Sequence, residues 1–231
     1  ACFGVSIVPP TAAWRIAAAL STTGAASWAL AAAHVPTVGE LSVLLAGLST
    51  VASVAGSVGI LYLAVEPLAR RIWPDALISW MRAVNGRFRD PLAASHVLVG
   101  VLSGLSLQLL IDARVWAMKD LLAPQFNAYT GARYLAHALL RCLALSGFLA
   151  IAYILILVVL RSVVRRTWAA DALFVMLLSP LLLSILSSAD GLSLPALVPF
   201  VLWFAAMTWI LRRFGLLAVA AWHALSMVVL M

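Results

Sequence analysis

Apolar side chains run along this chain in long blocks, and polar side chains collect in the gaps between them. A spanning helix needs ~20 mostly apolar residues. By that measure seven runs are predicted: Ala13–Ala33, Leu41–Val65, Ala93–Ile111, Tyr134–Leu160, Ala169–Ser187, Ala196–Leu211 and Phe214–Met231. Runs of this length predict helices, because barrel strands are ~10 residues and alternate. The last two runs are short, and they read either as spans or as a re-entrant or tilted pair. The breaks carry turn chemistry. Val35-Pro36-Thr37-Val38-Gly39 predicts a hairpin, Asp190-Gly191 with Pro195 another, and Arg212-Arg213 parts the last two runs. Only Glu66–Leu92 and Asp112–Arg133 are loops of substance. The pattern predicts an all-α fold: a polytopic transmembrane helix bundle of about seven spans, one membrane domain over residues 1–231.

Inside the first of those loops the apolar period returns. Leu77, Met81 and Val84 recur at i, i+4 and i+7, with Ile78 adjoining. Pro74 suits a first helical turn, where its missing N–H costs nothing. Asp75 suits the positive end of the helix dipole. Gly86 is a natural stop. A short helix is predicted from about Asp75 to Asn85, lying in the interface with its apolar face toward the spans. Trp73 and Trp80 are residues that favour the headgroup level.

Composition agrees with the pattern. Of the 231 residues, 65% are hydrophobic and 10% charged, and the mean hydropathy is +1.10. A soluble domain carries about 25% charged residues, and a soluble chain this apolar has too few polar groups to cover its surface. The formal charge of +7 comes from fourteen Arg and the single Lys119 against eight acids. In so apolar a chain a basic excess points to an anionic membrane face and not to nucleic acid. The basic residues are also unevenly shared between alternating gaps. One side receives Arg15, Arg70, Arg71, Arg82, Arg87, Arg89, Arg161, Arg165, Arg166, Arg212 and Arg213; the other receives Arg114, Lys119 and Arg133. By the positive-inside rule the Glu66–Leu92 loop faces the cytoplasm. A multi-pass protein of a bacterial inner membrane is expected, in contact with the bilayer, with anionic lipids at its cytoplasmic face and with other membrane subunits. Ala1 in place of Met, and an apolar run up to Met231, are expected of a piece of a longer chain.

Candidate chemistry is sparse. In the second run Ala52, Gly56 and Gly59 share one face and Ser49, Ser53 and Ser57 an adjacent one. Small residues let helix backbones approach closely in lipid, so the Ala52/Gly56/Gly59 face is expected to pack on another helix or a partner. His137 and Arg141 share a face near the outer end of the fourth run; Arg141 is expected to snorkel to the interface. His223, in VAAWHALSM, suits a structural hydrogen bond better than a pigment or metal ligand. His223 and His137 are nonetheless the candidate cofactor contacts; no cofactor or metal site is indicated. Asp171 suits the first turn of its helix or a pair with Arg165 or Arg166. Cys2 and Cys142 form no redox or metal pattern. GxxxxGK(S/T), HExxH and GxSxG are absent, and so is a chain of intramembrane acids. No enzyme and no proton-coupled transporter is indicated.

The stretch LYLAVEPLARRIWPDALISWMRAVNGRFRDPLAASHVLVGVLSG, residues 61–104, has a pattern of its own. It resembles the membrane region that follows the kinase domain in serine/threonine protein kinases of Acidobacteria-type bacteria. That family's pattern is close to LYxALEPxxRRxWPxxLISWxRxxxGxxRDPLxxxxxLxG. AAAHVPTVGE at 31–40 and LRSVVRRTWAADALFVML at 160–177 match more loosely. The Gly-rich loop, HRD and DFG elements of a kinase are absent, so no kinase residue carries over. The resemblance implies a non-catalytic membrane domain that anchors or senses for a signalling protein. The short helix of this loop either only caps the bundle or docks a cytoplasmic partner, in which case Arg70, Arg71, Trp73, Trp80, Arg82, Arg87 and Arg89 form the surface offered. An accessory subunit of a larger assembly, energy-transducing or photosynthetic, is the alternative, and a small transporter the second.

The arginine asymmetry makes a direct prediction. A reporter fused at Gly86 should be active in the cytoplasm, and a cysteine placed at Asn127 should label only from outside. The reverse pattern would reject the orientation, and equal labelling would reject the crossing between them.

Overall fold

The computed structural model describes residues 11–32, 39–87, 89–117, 131–186 and 194–229. The expected turns at 35–38 and 190–191, and residues 118–130 of the second loop, lie outside them. The described residues form helices and no strand. In order they are α1 (Thr11–Ala31), α2 (Gly39–Ile72), a 3-10 helix (Pro74–Leu77), α3 (Ile78–Val84), α4 (Pro91–Ala117), α5 (Ala132–Val164), α6 (Thr167–Leu186), α7 (Leu194–Phe214) and α8 (Leu216–Val229).

Among the described residues four helices are long and apolar enough to cross a membrane: α2, α4, α5 and α7. The molecule is a membrane protein. The seven expected spans do not all meet this measure. α6 and α8 are apolar but short. α1 is diluted by Arg15 and by a row of hydroxyls, of which Thr22 and Thr23 donate back to the carbonyls of Ala18 and Ala19 at 2.8 and 2.7 Å. α2 has 34 residues and α5 has 33. At ~1.5 Å per residue each reaches ~50 Å, well beyond a ~30 Å hydrocarbon layer. Their surplus carries Glu66, Arg70 and Arg71 on α2 and Arg161 on α5.

Tight turns bring most of the arginines to one end. Arg165, at φ 61, closes α5 with its N–H on Arg161 O, and α6 starts two residues later. Gly215, at φ 83, turns α7 straight into α8; a Cβ there would strike the carbonyl oxygen of Ala76 in the 3-10 helix. Arg15 of α1 reaches Asn85 after α3 at 2.6 Å. Arg212 of α7 meets Asp171 of α6 at 2.5 Å. Asp171 was expected to pair with Arg165 or Arg166; the antiparallel packing of α6 on α7 gives it Arg212 instead.

α8 is the centre of the bundle. Leu216, Ala218, Val219, Ala220, Trp222, His223 and Ser226 are buried. α4, α5 and α7 pack around it. α4 lies closest, because Gly100 and Gly104 sit one turn apart and present bare backbone to it. A Cβ on Gly100 would overlap the carbonyl of Ala218, and one on Gly104 would come to 3.0 Å from Trp222 O and 3.2 Å from its Cα. The pairing of 100 with 218 and 104 with 222 makes the two helices parallel. This is the close approach expected at Ala52, Gly56 and Gly59 of α2, found elsewhere. Ala52 and Gly56 are exposed, open space lies beyond Gly56, and Gly59 only grazes Ala17 of α1 at 4.0 Å. α2 instead packs through Gly47, against the indole of Trp28, and through Val58, Tyr62, Val65 and Ala69. α2 packs chiefly on α1 and α5, and Ala52 and Gly56 stay exposed.

Gly100→Ala should therefore lower the melting temperature of the detergent-purified protein, and Gly100→Leu should abolish folding. Gly104→Leu should destabilise by overpacking, by ~1–3 kcal/mol or more. Gly56→Leu should leave the melting curve unchanged. Loss of fold in the Gly56 variant alone would reject this assignment of the close helix pair.

Candidate functional site

The segment from Tyr62 to Leu92 builds a collar at the arginine-bearing end, and each part follows from local sequence. α2 continues through Pro67 to Ile72. Within it Glu66 and Arg70 are four apart, the favourable order for an ion pair on a helix. Arg70 donates from Nε and Nη2 to one oxygen, Glu66 Oε1, at 3.0 and 2.8 Å. Glu66 is buried, at 1% exposure, and its other oxygen has no partner among the described residues. A buried carboxylate without a cation is costly, so Arg70 is what allows Glu66 to sit there. One turn earlier Tyr62 is fully buried and donates its hydroxyl to Met81 Sδ of α3 at 3.0 Å.

Pro74 opens the 3-10 helix and α3 runs on to Val84. This is the short helix expected over 75–85. Leu77 is buried, and Met81 and Val84 pack on the core as the period predicts. Trp80 is turned inward: it is buried at 7%, and its Nε1 has no partner among the described residues. It packs in the core and does not stand exposed at the surface. Trp73 is half-buried. The tryptophans that stand out at this end are Trp14, Trp168 and Trp209, each more than 60% exposed. Gly86, at φ 79, ends α3, as expected of a glycine stop.

Asp90 closes the collar. Its Oδ1 accepts from the N–H groups of Leu92 at 2.9 Å and Ala93 at 3.4 Å, and Pro91 occupies the first turn. It is the N-cap of α4. Arg82 Nη1 donates to both carboxylate oxygens of Asp90, at 2.9 and 2.8 Å. The bond from Arg82, with help from the two backbone N–H groups, holds the Asp90 carboxyl below its ordinary range. One acid thus fixes both the start of α4 and the end of α3.

The collar surrounds an open depression of about 320 Å³ lined by Arg70, Leu77, Ile78, Met81, Arg82, Asn85 and Arg87. Arg71, Arg87 and Arg89 are exposed, with no side-chain partner among the described residues. Of the expected partner surface, the structure joins Arg70, Arg82 and Arg87 around one feature. Arg71 and Arg89 lie on the exposed surface outside it. Arg82 and Arg70 are also structural, which spacing alone did not show. The Glu66–Arg70 spacing was visible in the sequence; the eight-residue pair Arg82–Asp90 was not, because it depends on the turn at Gly86.

The two candidate histidines lie elsewhere. His223 is buried on α8. It stacks on Tyr153 of α5 at a centroid distance of 5.0 Å, and its Nε2 faces Met207 Sδ of α7 at 3.3 Å. Trp203 and Trp222 stand edge to face beside it at 5.3 Å. Among the described residues no three His, Cys, Asp or Glu side chains gather as a metal set. His137 clamps α5 to α1 at the far end of the bundle: its Nδ1 lies 2.7 Å from Ser27 O and 2.9 Å from Ser27 Oγ. Arg133 of the same helix donates to the carbonyls of Leu30 and Ala32, the latter at 2.7 Å. Those are the orphan carbonyls at the end of α1. Arg141 is exposed, one turn on from His137, with no partner among the described residues. Cys142 is a free, buried thiol.

No family model, curated protein or solved structure matches this chain. The collar must be read on its chemistry. Two of its acids, Glu66 and Asp90, are engaged by arginine, and Asp75 is exposed.

Asp90 supplies a pH test. Its folded-state pKa is depressed, so its stabilising effect is present above the unfolded value of ~3.9. That effect fades as pH falls through the lower folded value. Asp90→Asn keeps the cap and loses the ion pair; Asp90→Ala loses both. Thermal denaturation at neutral pH should rank wild type above Asp90→Asn above Asp90→Ala. The gap between wild type and Asp90→Asn should close only below about pH 4. A gap that persists at pH 2 would show that the ion pair is not its source.

Proposed function

We propose that the chain is a non-catalytic, multi-span membrane domain that anchors, or senses for, a bacterial signalling protein. In this reading it sits in the inner membrane with the collar in the cytoplasm. The observation that carries it is the use made of the 61–92 motif. Glu66, Asp90 and three of its apolar positions build the collar, and Arg71 and Arg89 are exposed with no side-chain partner among the described residues. A segment built this way presents positive charge from a rigid mount, which suits docking to an acidic surface of a cytoplasmic domain. The likeness of the motif to the region after bacterial kinase domains supports the same reading. Seven crossings are supported by connectivity. α5 and α7 both finish at the arginine end, so α6 returns between them, and α8 then runs back through the centre. α1 and α2 form a further antiparallel pair.

An accessory subunit of a larger membrane assembly is the second reading. The exposed row of Leu41, Leu44, Leu48, Ala52, Gly56 and Ile60 on α2 favours it, because such a face accepts either lipid or a neighbouring helix.

Purification from the native membrane in mild detergent separates the two. A kinase or other signalling domain, on the same chain or bound to it, supports the first reading. Foreign membrane subunits in fixed ratio support the second. Under the first, Arg71→Gln with Arg89→Gln should weaken capture of that domain by about thirtyfold, since each basic residue at an anionic surface contributes about 1 kcal/mol. Capture unchanged by the double substitution would sink the docking reading.

A further inference from the structure

We infer that the depression at the collar is a binding site for the headgroup of a net anionic phospholipid, with its phosphate at Arg87; this rests on the collar facing the cytoplasmic leaflet. The wall of this feature offers hydrogen-bond donors and almost no acceptors. Arg70 spends Nε and Nη2 on Glu66, and Nη1 remains. Arg82 spends Nη1 on Asp90, and Nε and Nη2 remain. Arg87 has no side-chain partner among the described residues. Asn85 receives Arg15 on its oxygen at 2.6 Å, so what it has left to give is its NH2 group. The neutralising carboxylates of Glu66 and Asp90 do not line the depression. Three guanidinium groups and an amide donor therefore converge where the acids stand behind them. Guanidinium groups suit phosphate because their planar N–H forks match its oxygens.

The rest of the lining decides between a free phosphate and a lipid. It is apolar: Leu77, Ile78 and Met81. Ile78 is 39% exposed, and it does not join the buried core as its neighbour Leu77 does. An inorganic anion gains nothing from that wall, whereas the glycerol and first methylenes of a lipid do. The exposed Trp14, Trp168 and Trp209 mark the same end of the bundle as the headgroup level. Donor groups and apolar side chains lining one depression, at that depth, match a phospholipid at the point where headgroup meets chain.

The full chain is reconstituted into nanodiscs of phosphatidylcholine alone, or of phosphatidylcholine doped with phosphatidylglycerol. It is then washed in detergent, and the lipid retained per chain is counted by mass spectrometry. Wild type should keep phosphatidylglycerol in preference to phosphatidylcholine. Arg87→Gln should lower that retention about fivefold, and Arg87→Lys should restore part of it. Ile78→Asp, at an exposed position, should lower it as well. Arg166→Gln removes the same charge from the same end outside the depression and should change nothing. Equal losses in Arg87→Gln and Arg166→Gln would overturn the site in favour of a diffuse surface field. So would retention without headgroup preference, or full displacement of the lipid by inorganic phosphate. Any of these in discs that hold folded chain leaves the membrane-domain reading standing; failure to enter discs at all would sink both.

Discussion

The core of this bundle is organised by one close contact, the bare backbone of Gly100 and Gly104 of α4 against the main chain of Ala218 and Trp222 of α8. In lipid the hydrophobic effect does not push helices together, since acyl chains are as apolar as leucine. Association has to come from close van der Waals fit. Two glycines one turn apart supply it, and the consequence is a short helix held at the middle of the molecule. The rest of the core forms around α8: Ile151, Ile154 and Leu157 from α5, Phe204 and Met207 from α7, and the aromatic group around His223. The collar is set by the same contact, because Gly215 at the head of α8 presses on the carbonyl of Ala76.

The class of the fold was legible from run length and hydropathy, and the short helix of the collar from its period and its Pro and Gly boundaries. The positions of the arginines were legible as well, since charge asymmetry is a property of spacing and needs no tertiary information. The close helix pair was not found, although its signal was present: Gly100-Val-Leu-Ser-Gly104 is a GxxxG run. α2 drew attention because it holds more small residues. Small residues are permissive on any face, and only the partner's position decides which face is used. The inward turn of Trp80 was hidden for a related reason. Tryptophan favours the headgroup level when one side is wet, but here α3 turns it inward, where its apolar area counts for more than its unpaired N–H. The ion pairs Arg82–Asp90 and Arg212–Asp171 were out of reach because each spans a turn or a whole helix hairpin.

At the collar the same charges serve two purposes in sequence. Glu66 and Asp90 fix the arginines in place, and the arginines then have nitrogens left over. A guanidinium carries five N–H donors, so one ion pair does not exhaust it. A lysine in either place would be spent on its carboxylate as a point charge. This explains how a chain with fourteen arginines and one lysine makes use of the difference.

The burial of α8 also orders the making of the protein in time. A chain is synthesised from its N-terminus, and α8 follows every helix that it touches. Until it arrives, α4 carries two bare glycines with nothing against them, and α5 and α7 enclose an unfilled slot. The early helices therefore lack their central packing partner until the fourteen residues of α8 have been made.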